Sequence, residues 1–323
     1  MRLVSFDDGS GPRAGVLTEG GILDAGKLLA SDAVIHDVCD LIRQASPVAE
    51  RLGDILSGPR LPRPVPPDQV TLLPPVRQPP SIRDHIAFEE HASRQFTRKI
   101  ADVWRRRPVH YYSNPSRLSG HGAPITMPAT ERLDYELELA AVIETEASDV
   151  AEAQALGHVL GFTILNDWSA RDLQADEMAY GLGPAKGKDF ATSLGPCVVT
   201  VDELGPALHD GVLDLRCQVR VNGVTWADSS SAAQFHTWGA MIEHASQDSR
   251  LLPGDIIASG TVGGCSIGEA IRKGLPARYL VPGDQVELEV ERVGILANSI
   301  VANPRAHPAR YRALELPPMP EPI

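Results

Sequence analysis

The strongest constraint on the fold is a regular alternation of side-chain types between Tyr135 and Glu146. A period of two is that of a β-strand, because successive side chains point to opposite faces of a sheet. One face of the segment is apolar, and the other carries Glu136 and Glu138 followed by Ala140 and Val142. With few long helical periods elsewhere, this pattern predicts a strand-rich α+β fold, a mixed β roll or barrel.

Other segments support the same class of fold. Apolar runs between turn residues predict strands over Val159–Asn166, Leu213–Val221, Asp255–Thr261 and Gln285–Val293. Helical spacing predicts helices over Asp37–Arg51 and Thr237–Gln247, with a further helix beginning at Ser169.

A proline-rich stretch divides the chain. It starts at Gly58 and continues through Pro74-Pro75, and proline favours extended, boundary-like backbone. Short alternating runs before it, such as Arg2–Phe6, indicate a small β module. We therefore expect a small N-terminal domain with its connector over residues 1–75 and a catalytic domain over residues 76–323.

The overall charge restricts the partners. The chain has 323 residues and a formal net charge of −12, which argues against nucleic acid or an anionic membrane as the main partner. Arg105–Arg107 is a short basic run that suits either a solvated helix end or a contact with an acidic substrate or subunit. The four cysteines lack C-x-x-C spacing, and the N-terminus lacks a long apolar run. These features predict reduced core cysteines and a cytoplasmic protein.

Four carboxylates lie on or beside the apolar strand-like runs: Asp84, Glu136, Glu138 and Asp167. A lone buried charge costs several kcal/mol to desolvate, and a bound cation would keep such a group ionised. Oxygen ligands favour a hard ion, which predicts magnesium, calcium or manganese. His91 follows Asp84 closely and suits a general base. From spacing alone, an edge strand with a solvated face explains the two glutamates equally well.

Three motifs carry a family resemblance: Leu133–Glu138, Asn166–Gln174 and Gly254–Thr261. In order and spacing they resemble the fumarylacetoacetate hydrolase superfamily over roughly residues 75 to 295, and the chain looks like a bacterial fumarylacetoacetase-like member. The resemblance implies that family's mixed β-sandwich roll or barrel, a homodimer and a small oxo-acid or diketone substrate.

The resemblance also implies roles for individual residues. The implied metal ligands are Asp84, Glu136, Glu138 and Asp167, with Thr192 as a secondary cation contact. The implied catalytic residues are His91, Glu269, Lys188 and Arg171. The implied substrate-contacting positions are Gln174, Thr261, Tyr111, Ile86 and Met178.

Two of these positions depart from the family pattern. Ile86 and Met178 stand where the hydrolase has substrate-contacting tyrosines. Because two polar contacts have become apolar, fumarylacetoacetate itself, a dicarboxylate, is disfavoured. A less polar acyl or aryl group is the expected substituent of the substrate.

The reaction implied by the resemblance is hydrolysis of a C–C bond in a 1,3-dicarbonyl or acylpyruvate substrate. The ion would polarise a carbonyl, and His91 oriented by Glu269 would activate water. Relatives that lack this pair carry out decarboxylation, dehydration or keto–enol isomerisation of a 2-oxo acid. Hydrolysis is therefore expected only if the histidine and the glutamate meet in the folded protein.

Two other classes of protein fit the sequence less well. Gly264–Gly268 matches the G-x-S-x-G pattern of serine hydrolases, but the only histidine downstream is His307, in a proline-rich tail. A degenerate member that only binds a ligand is disfavoured by the intact set of carboxylates. Glu287, Glu289 and Glu291 repeat the alternating pattern, and we interpret them as the solvated face of a late strand.

Overall fold

The computed structural model describes residues 1–95, 100 and 102–305. Its strands are Arg2–Asp7 (β1), Pro12–Thr18 (β2), Gly21–Asp24 (β3), Thr71–Leu73 (β4), Ile82–His85 (β5), His110–Ser113 (β6), Leu118–Ser119 (β7), Pro124–Thr126 (β8), Leu133–Asp134 (β9), Leu137–Ile143 (β10), Val159–Asn166 (β11), Ser169–Ala170 (β12), Thr192–Thr200 (β13), Leu208–His209 (β14), Val212–Leu213 (β15), Arg216–Val221 (β16), Val224–Ser230 (β17), Ile256–Ala258 (β18), Gln285–Val290 (β19) and Gly294–Val301 (β20). Its α-helices are Ala25–Leu28 (α1), Val38–Ala45 (α2), Val48–Leu56 (α3), Glu89–Gln95 (α4), Asp102–Arg106 (α5), Glu152–Ala155 (α6), Arg171–Tyr180 (α7), Val201–Leu204 (α8), Trp238–Ser246 (α9) and Ile267–Arg272 (α10).

A large, mainly antiparallel sheet forms the centre of the molecule. Its main path runs β3-β2-β1-β13-β11-β10-β18-β5-β6, with β4 added beside β1 and β7 beside β13. Strand β18 pairs with β5 in parallel, so that Ala258 lies opposite Asp84. This pairing brings the predicted metal-ligand segment next to the strand of the third motif, which pairs in turn with β10, the strand that carries Glu138 of the first motif.

A smaller sheet, β17-β16-β19-β20-β8, covers one face of the large one. Apolar side chains of both sheets form one buried cluster, with Leu139 and Phe162 from the large sheet and Val219 and Leu296 from the small sheet. Sheets that bury their apolar faces against each other define a sandwich. Within the described residues the two sheets stay separate and close no barrel.

The opposite face of the large sheet is covered by α2 and α3. Val142 and Leu165 from the sheet share a second buried cluster with Leu41 and Ile42 of α2 and Leu52 of α3. Cover on both faces explains why β10 and β11 are buried at every position and are mostly apolar. The predicted strand-rich α+β class is confirmed, and the sandwich is the form that it takes.

The N-terminal strands extend the large sheet. In β1, Arg2 pairs with Val199 and Leu3 with Val198 of β13. The β module expected before the proline-rich connector is therefore continuous in hydrogen bonding with the rest of the sheet. The proposed division into domains at residue 75 stays a prediction.

Several predicted elements differ at their ends. The helix expected over Asp37–Arg51 is two helices, because Pro47 interrupts it and stands at the N-cap of α3. The helix expected from Ser169 begins at Arg171, since Ser169 and Ala170 pair with β9. Strand β18 is shorter than the predicted Asp255–Thr261.

Other expectations are confirmed. Val159–Asn166 is a buried strand over its whole predicted length. Buried, unbridged cysteines occupy positions 39, 197, 217 and 265. Within the described part of the chain, no helix has both the length and the apolar character needed to cross a bilayer.

Candidate active site

Three carboxylates meet where neighbouring strands of the large sheet end. Asp84 lies on β5, Glu138 on β10, and Asp167 directly follows β11. Each side chain is at most 1% exposed. One oxygen from each of the three lies within 4.8 Å of the others. The sheet thus brings together groups that are far apart in sequence.

The donor atoms of this acidic triad fit a hard cation. Asp84 Oδ2, Glu138 Oε2 and Asp167 Oδ1 are buried and have no hydrogen-bond partner among the described residues. Burial and the neighbouring Asp167 raise the pKa of Asp84 well above its usual value, and burial with Asp84 does the same for Glu138. A divalent ion would supply the missing partner to each oxygen and replace the protons.

Glu136 lies beside this triad but differs from its members in its partners. Its Oε1 accepts a 2.6 Å hydrogen bond from Arg171, and its Oε2 accepts from Lys188. Burial would raise its pKa, but these two cations lower it well below the usual value. The lowered pKa favours the ionised form of Glu136 even when no metal is bound. Its role as a fourth metal ligand stays a prediction.

Lys188 connects Glu136 with the acidic triad. Its ammonium group donates to both Glu136 and Asp167. Burial lowers the pKa of this lysine, but the charges of Asp167 and Glu136 outweigh burial and raise it overall. The lysine is therefore a permanent positive charge beside the proposed metal position, where it can stabilise a developing oxyanion.

His91, on α4, lies between two carboxylates. Its Nε2 is 3.5 Å from Glu136 Oε1, and its Nδ1 is 3.6 Å from Glu269 Oε2. Glu269, on α10, also accepts from the Gly264 amide at 3.1 Å and the Ser266 hydroxyl at 3.2 Å. Burial would raise the pKa of Glu269, but the nearby His91 and the hydrogen bonds from Gly264 and Ser266 hold it below the usual value. The structure thus brings the expected histidine–glutamate pair together.

A cavity of about 190 Å³ connects most of the predicted residues. Among the sequence-predicted positions, its wall contains Asp84, Glu136, Glu138, Asp167, His91, Lys188, Gln174, Thr261, Tyr111, Ile86 and Met178. Arg171 and Glu269 lie behind this wall, in contact with residues that form it. Thr192 is buried on β13, with its hydroxyl 3.4 Å from that of Ser113.

The substrate-contacting candidates line the cavity in two groups. Tyr111 donates a 2.6 Å hydrogen bond to Asp167, and Gln174 accepts one of 2.9 Å from Arg171. Thr261 Oγ1 is buried without a partner among the described residues. Ile86 and Met178 add apolar surface, with Val109 and Pro184. The wall therefore combines a polar side beside the carboxylates with an apolar side.

Sequence reasoning missed several residues at the site. His85 and His110 face each other across β5 and β6, with ring centroids 4.9 Å apart, and both belong to the cavity wall. Asp134 is fully buried behind the wall and binds Arg171. Its position within the Leu133–Glu138 motif was the available signal, but spacing alone gave it no partner.

The fold and the site agree with a known family. The family model "Fumarylacetoacetate (FAA) hydrolase C-terminal" matches residues 81–301, so the chain belongs to the fumarylacetoacetate hydrolase family. The predicted membership is confirmed.

Particular relatives have different reactions in their names. The chain is 31% identical to the oxaloacetate tautomerase YisK of Bacillus subtilis (strain 168) over 195 residues, 60% of this chain and 61% of that protein. The fumarylacetoacetate hydrolase from Exiguobacterium antarcticum superposes with a TM-score of 0.74 at 28% identity, covering 94% of this chain and 100% of that one. The maleylpyruvate hydrolase from Sphingobium sp. SYK-6, solved with manganese(II) and pyruvate, gives a TM-score of 0.71 at 26% identity with the same coverage.

Proposed function

We propose that the protein is a metal-dependent hydrolase that cleaves a C–C bond in a 1,3-dicarbonyl or acylpyruvate-type substrate. The observation that carries the proposal is the position of His91, 3.6 Å from Glu269 and in the wall of the cavity that contains the acidic triad. A histidine paired with a buried carboxylate suits general-base activation of water, which hydrolysis needs and isomerisation does not.

Each group has a part in the proposed reaction. A divalent ion held by Asp84, Glu138 and Asp167, taken as magnesium or as calcium or manganese, would polarise the carbonyl oxygens of the substrate. With Nδ1–H directed at Glu269, His91 Nε2 takes the proton of the attacking water. Lys188 balances negative charge as the carbonyl oxygen becomes an oxyanion. The protonated His91 then returns the proton to the departing carbon.

The apolar side of the cavity supports a substrate with a less polar substituent. Ile86, Val109, Met178 and Pro184 line it, and Lys188 is the only lysine or arginine among the described residues of the wall. A second carboxylate would be desolvated there without a dedicated cation. We propose an acylpyruvate with an aliphatic or aryl acyl group in preference to fumarylacetoacetate.

The test is an assay of the purified protein with magnesium or manganese on aliphatic and aryl acylpyruvates. The loss of the enol absorbance would be followed and pyruvate release would be measured. The change His91→Ala should lower cleavage by roughly 10²–10⁴-fold while metal binding is retained. His209→Ala, at an exposed position on β14, is the matched control and should leave the rate unchanged.

A second candidate is an isomerase of 2-oxo acids, which the named oxaloacetate tautomerase among the relatives favours. Such a reaction moves a proton between carbon and oxygen and needs no attacking water. If the wild type cleaves no acylpyruvate but ketonises enol-oxaloacetate, and His91→Ala leaves that rate nearly unchanged, the hydrolase proposal is overturned.

Two further proposals come from the family and the composition. We propose a homodimer in the cytoplasm that acts on a small molecule and binds neither nucleic acid nor membrane. Light scattering at micromolar concentration tests the assembly, and a monomer mass would contradict it.

A further inference from the structure

Asp134, on β9, joins two parts of the site from behind the cavity wall. Its side chain is 0% exposed. Its Oδ2 accepts from Arg171 Nε at 2.8 Å, and its carboxylate also accepts from the amides of Ile267 at 2.7 Å and Gly268 at 2.9 Å. Those amides belong to the first turn of α10, so one carboxylate holds both Arg171 and the start of that helix.

These contacts are part of a closed ring of residues that includes His91. From Asp134 the ring passes to Arg171, which donates a 2.6 Å bond to Glu136 Oε1. The same Oε1 is 3.5 Å from His91 Nε2, and His91 Nδ1 is 3.6 Å from Glu269. Glu269 follows Gly268 directly on α10, and that glycine returns the ring to Asp134. Asp134 thus binds Arg171, which contacts Glu136, and Gly268, which precedes Glu269.

The backbone supports the same connection. Ser266, the N-cap of α10, accepts from the Glu269 amide and forms an isolated β-bridge with Glu136. Strand β9 pairs with β12, immediately before Arg171. Three short segments therefore meet at one buried carboxylate.

We propose that Asp134 is a positioning residue that sets the distance between Glu269 and His91 by holding the first turn of α10. It is absent from the cavity wall among the described residues, so it acts through Glu269 and not on the substrate. The inference rests on the proposed function in one respect, that the His91–Glu269 pair activates water.

A double-mutant cycle tests the route of action. Asp134→Asn should lower kcat for acylpyruvate cleavage by up to about 100-fold, as a displaced catalytic pair does, with KM and metal affinity changed less than about threefold. In a Glu269→Gln background the same change should cost less than about threefold, because the pair is already disabled. If Asp134→Asn lowers kcat by the same factor in the wild type and in the Glu269→Gln background, the proposal is overturned.

The matched control for lost buried charge is Asp24→Asn. Asp24 is also a buried aspartate that accepts from the first turn of a helix, α1, and pairs with an arginine, Arg13, at 3.0 Å. It lies in the N-terminal strands, away from the cavity. A loss of kcat equal to that of Asp134→Asn would show a general stability effect and overturn the proposal.

A second variant keeps the test valid if Asp134→Asn does not fold. A β-carbon added at Gly268 would lie 3.3 Å from Asp134 Oδ2, so Gly268→Ala presses on this contact without removing a charge. Gly53→Ala on α3, where the added carbon meets nothing within 4 Å, is its control. Alanine favours helix over glycine at both positions, but only Gly268→Ala should lower kcat.

A spectroscopic readout separates this proposal from the proposed function. In ¹⁵N-histidine NMR spectra, Asp134→Asn and Gly268→Ala should shift the His91 ring signals in the direction that Glu269→Gln does, and the two controls should not. If the shifts occur while Glu269→Gln cleaves at the wild-type rate, Asp134 positions the pair and the hydrolase assignment fails. Unmoved His91 signals would overturn the proposal for Asp134.

Discussion

Two strands of this molecule present glutamates two residues apart, and they lie in opposite environments. Glu136 directly precedes β10 and Glu138 lies within it, and they are 2% and 1% exposed. Glu287 and Glu289 lie on β19 with side chains 38% and 39% exposed. The same local spacing therefore gives a buried carboxylate cluster in one strand and a solvated surface in the other.

An arginine bridges two carboxylates in each region. Arg171 binds Asp134 at 2.8 Å and Glu136 at 2.6 Å, whereas Arg220 binds Glu287 at 2.7 Å and Glu289 at 2.6 Å. The distances are nearly identical, but the cost of losing the arginine differs. Water can solvate the surface carboxylates when Arg220 is removed, and it cannot reach the buried carboxylates when Arg171 is removed. Burial, and not the spacing or the bond lengths, separates the two regions.

The largest expected difference between the regions is in metal-dependent activity. Glu138→Gln replaces one of the three clustered carboxylates with a neutral amide, and activity should fall by more than about 100-fold, the upper effect of losing a group that only orients a ligand. Glu289→Gln, the matched change on β19, should leave turnover unchanged. Calorimetric titration with manganese and a turnover assay check both variants. Full activity in Glu138→Gln would remove the metal site.

The next difference is in stability. Arg171→Met removes the buried cation that Asp134 and Glu136 share, and the free energy of unfolding should fall by about 3–5 kcal/mol. Arg220→Met breaks a surface bridge and should cost at most about 1 kcal/mol. Urea denaturation of both variants measures the contrast. Equal losses would show that burial does not distinguish the two bridges.

The third difference is in pH dependence. The folded-state pKa values of Asp84 and Glu138 are raised, so folding without metal takes up protons. The metal-free protein should therefore lose stability as pH rises from the ordinary carboxyl pKa through the raised values. A metal ion displaces those protons. The stabilisation by manganese should grow with pH, by about 1.4 kcal/mol per pH unit for each proton displaced.

Melting curves with manganese and with a chelator, from pH 5.5 to 8, measure this gain. The variant Glu287→Gln on β19 serves as the control and should follow the wild type. A stabilisation that is constant over the range would show that the triad carries no displaceable protons.

The smallest expected difference is in salt dependence. A double-mutant cycle between Arg220 and Glu287 should give a coupling of about 0.2–1 kcal/mol that nearly vanishes in 1 M sodium chloride. The corresponding cycle between Arg171 and Glu136 should keep most of its coupling, because buried charges are screened much less. Equal screening of both pairs would contradict the assigned burial.

Alternation located most of the strands, and the family resemblance of the three motifs located most of the cavity wall. They did not reveal Asp134, since its partners Ile267 and Gly268 come from a distant segment that only the folded sheet brings near. For the same reason, spacing did not predict that Arg171 and Lys188 bind the two oxygens of Glu136, whose role as a metal ligand stays a prediction.

The single helix predicted over Asp37–Arg51 was wrong for a local reason. The periodicity from Asp37 to Arg51 continues through Pro47, but proline has no amide hydrogen to continue the helical hydrogen bonds. The spacing of apolar residues predicts which face of a helix is buried, but it does not show that Pro47 lacks the amide hydrogen that the helix needs.

The pairing order of the large sheet has a kinetic consequence. Strand β1 pairs with β13, and β5 pairs in parallel with β18, so the central strands join segments that are distant along the chain. Folds dominated by such non-local pairing form slowly, because loop closure precedes the gain from contacts. The three oxygens of the triad come together only when those strands are in place. An ion that binds these oxygens would therefore mainly lower the rate of unfolding and would do little to raise the rate of folding.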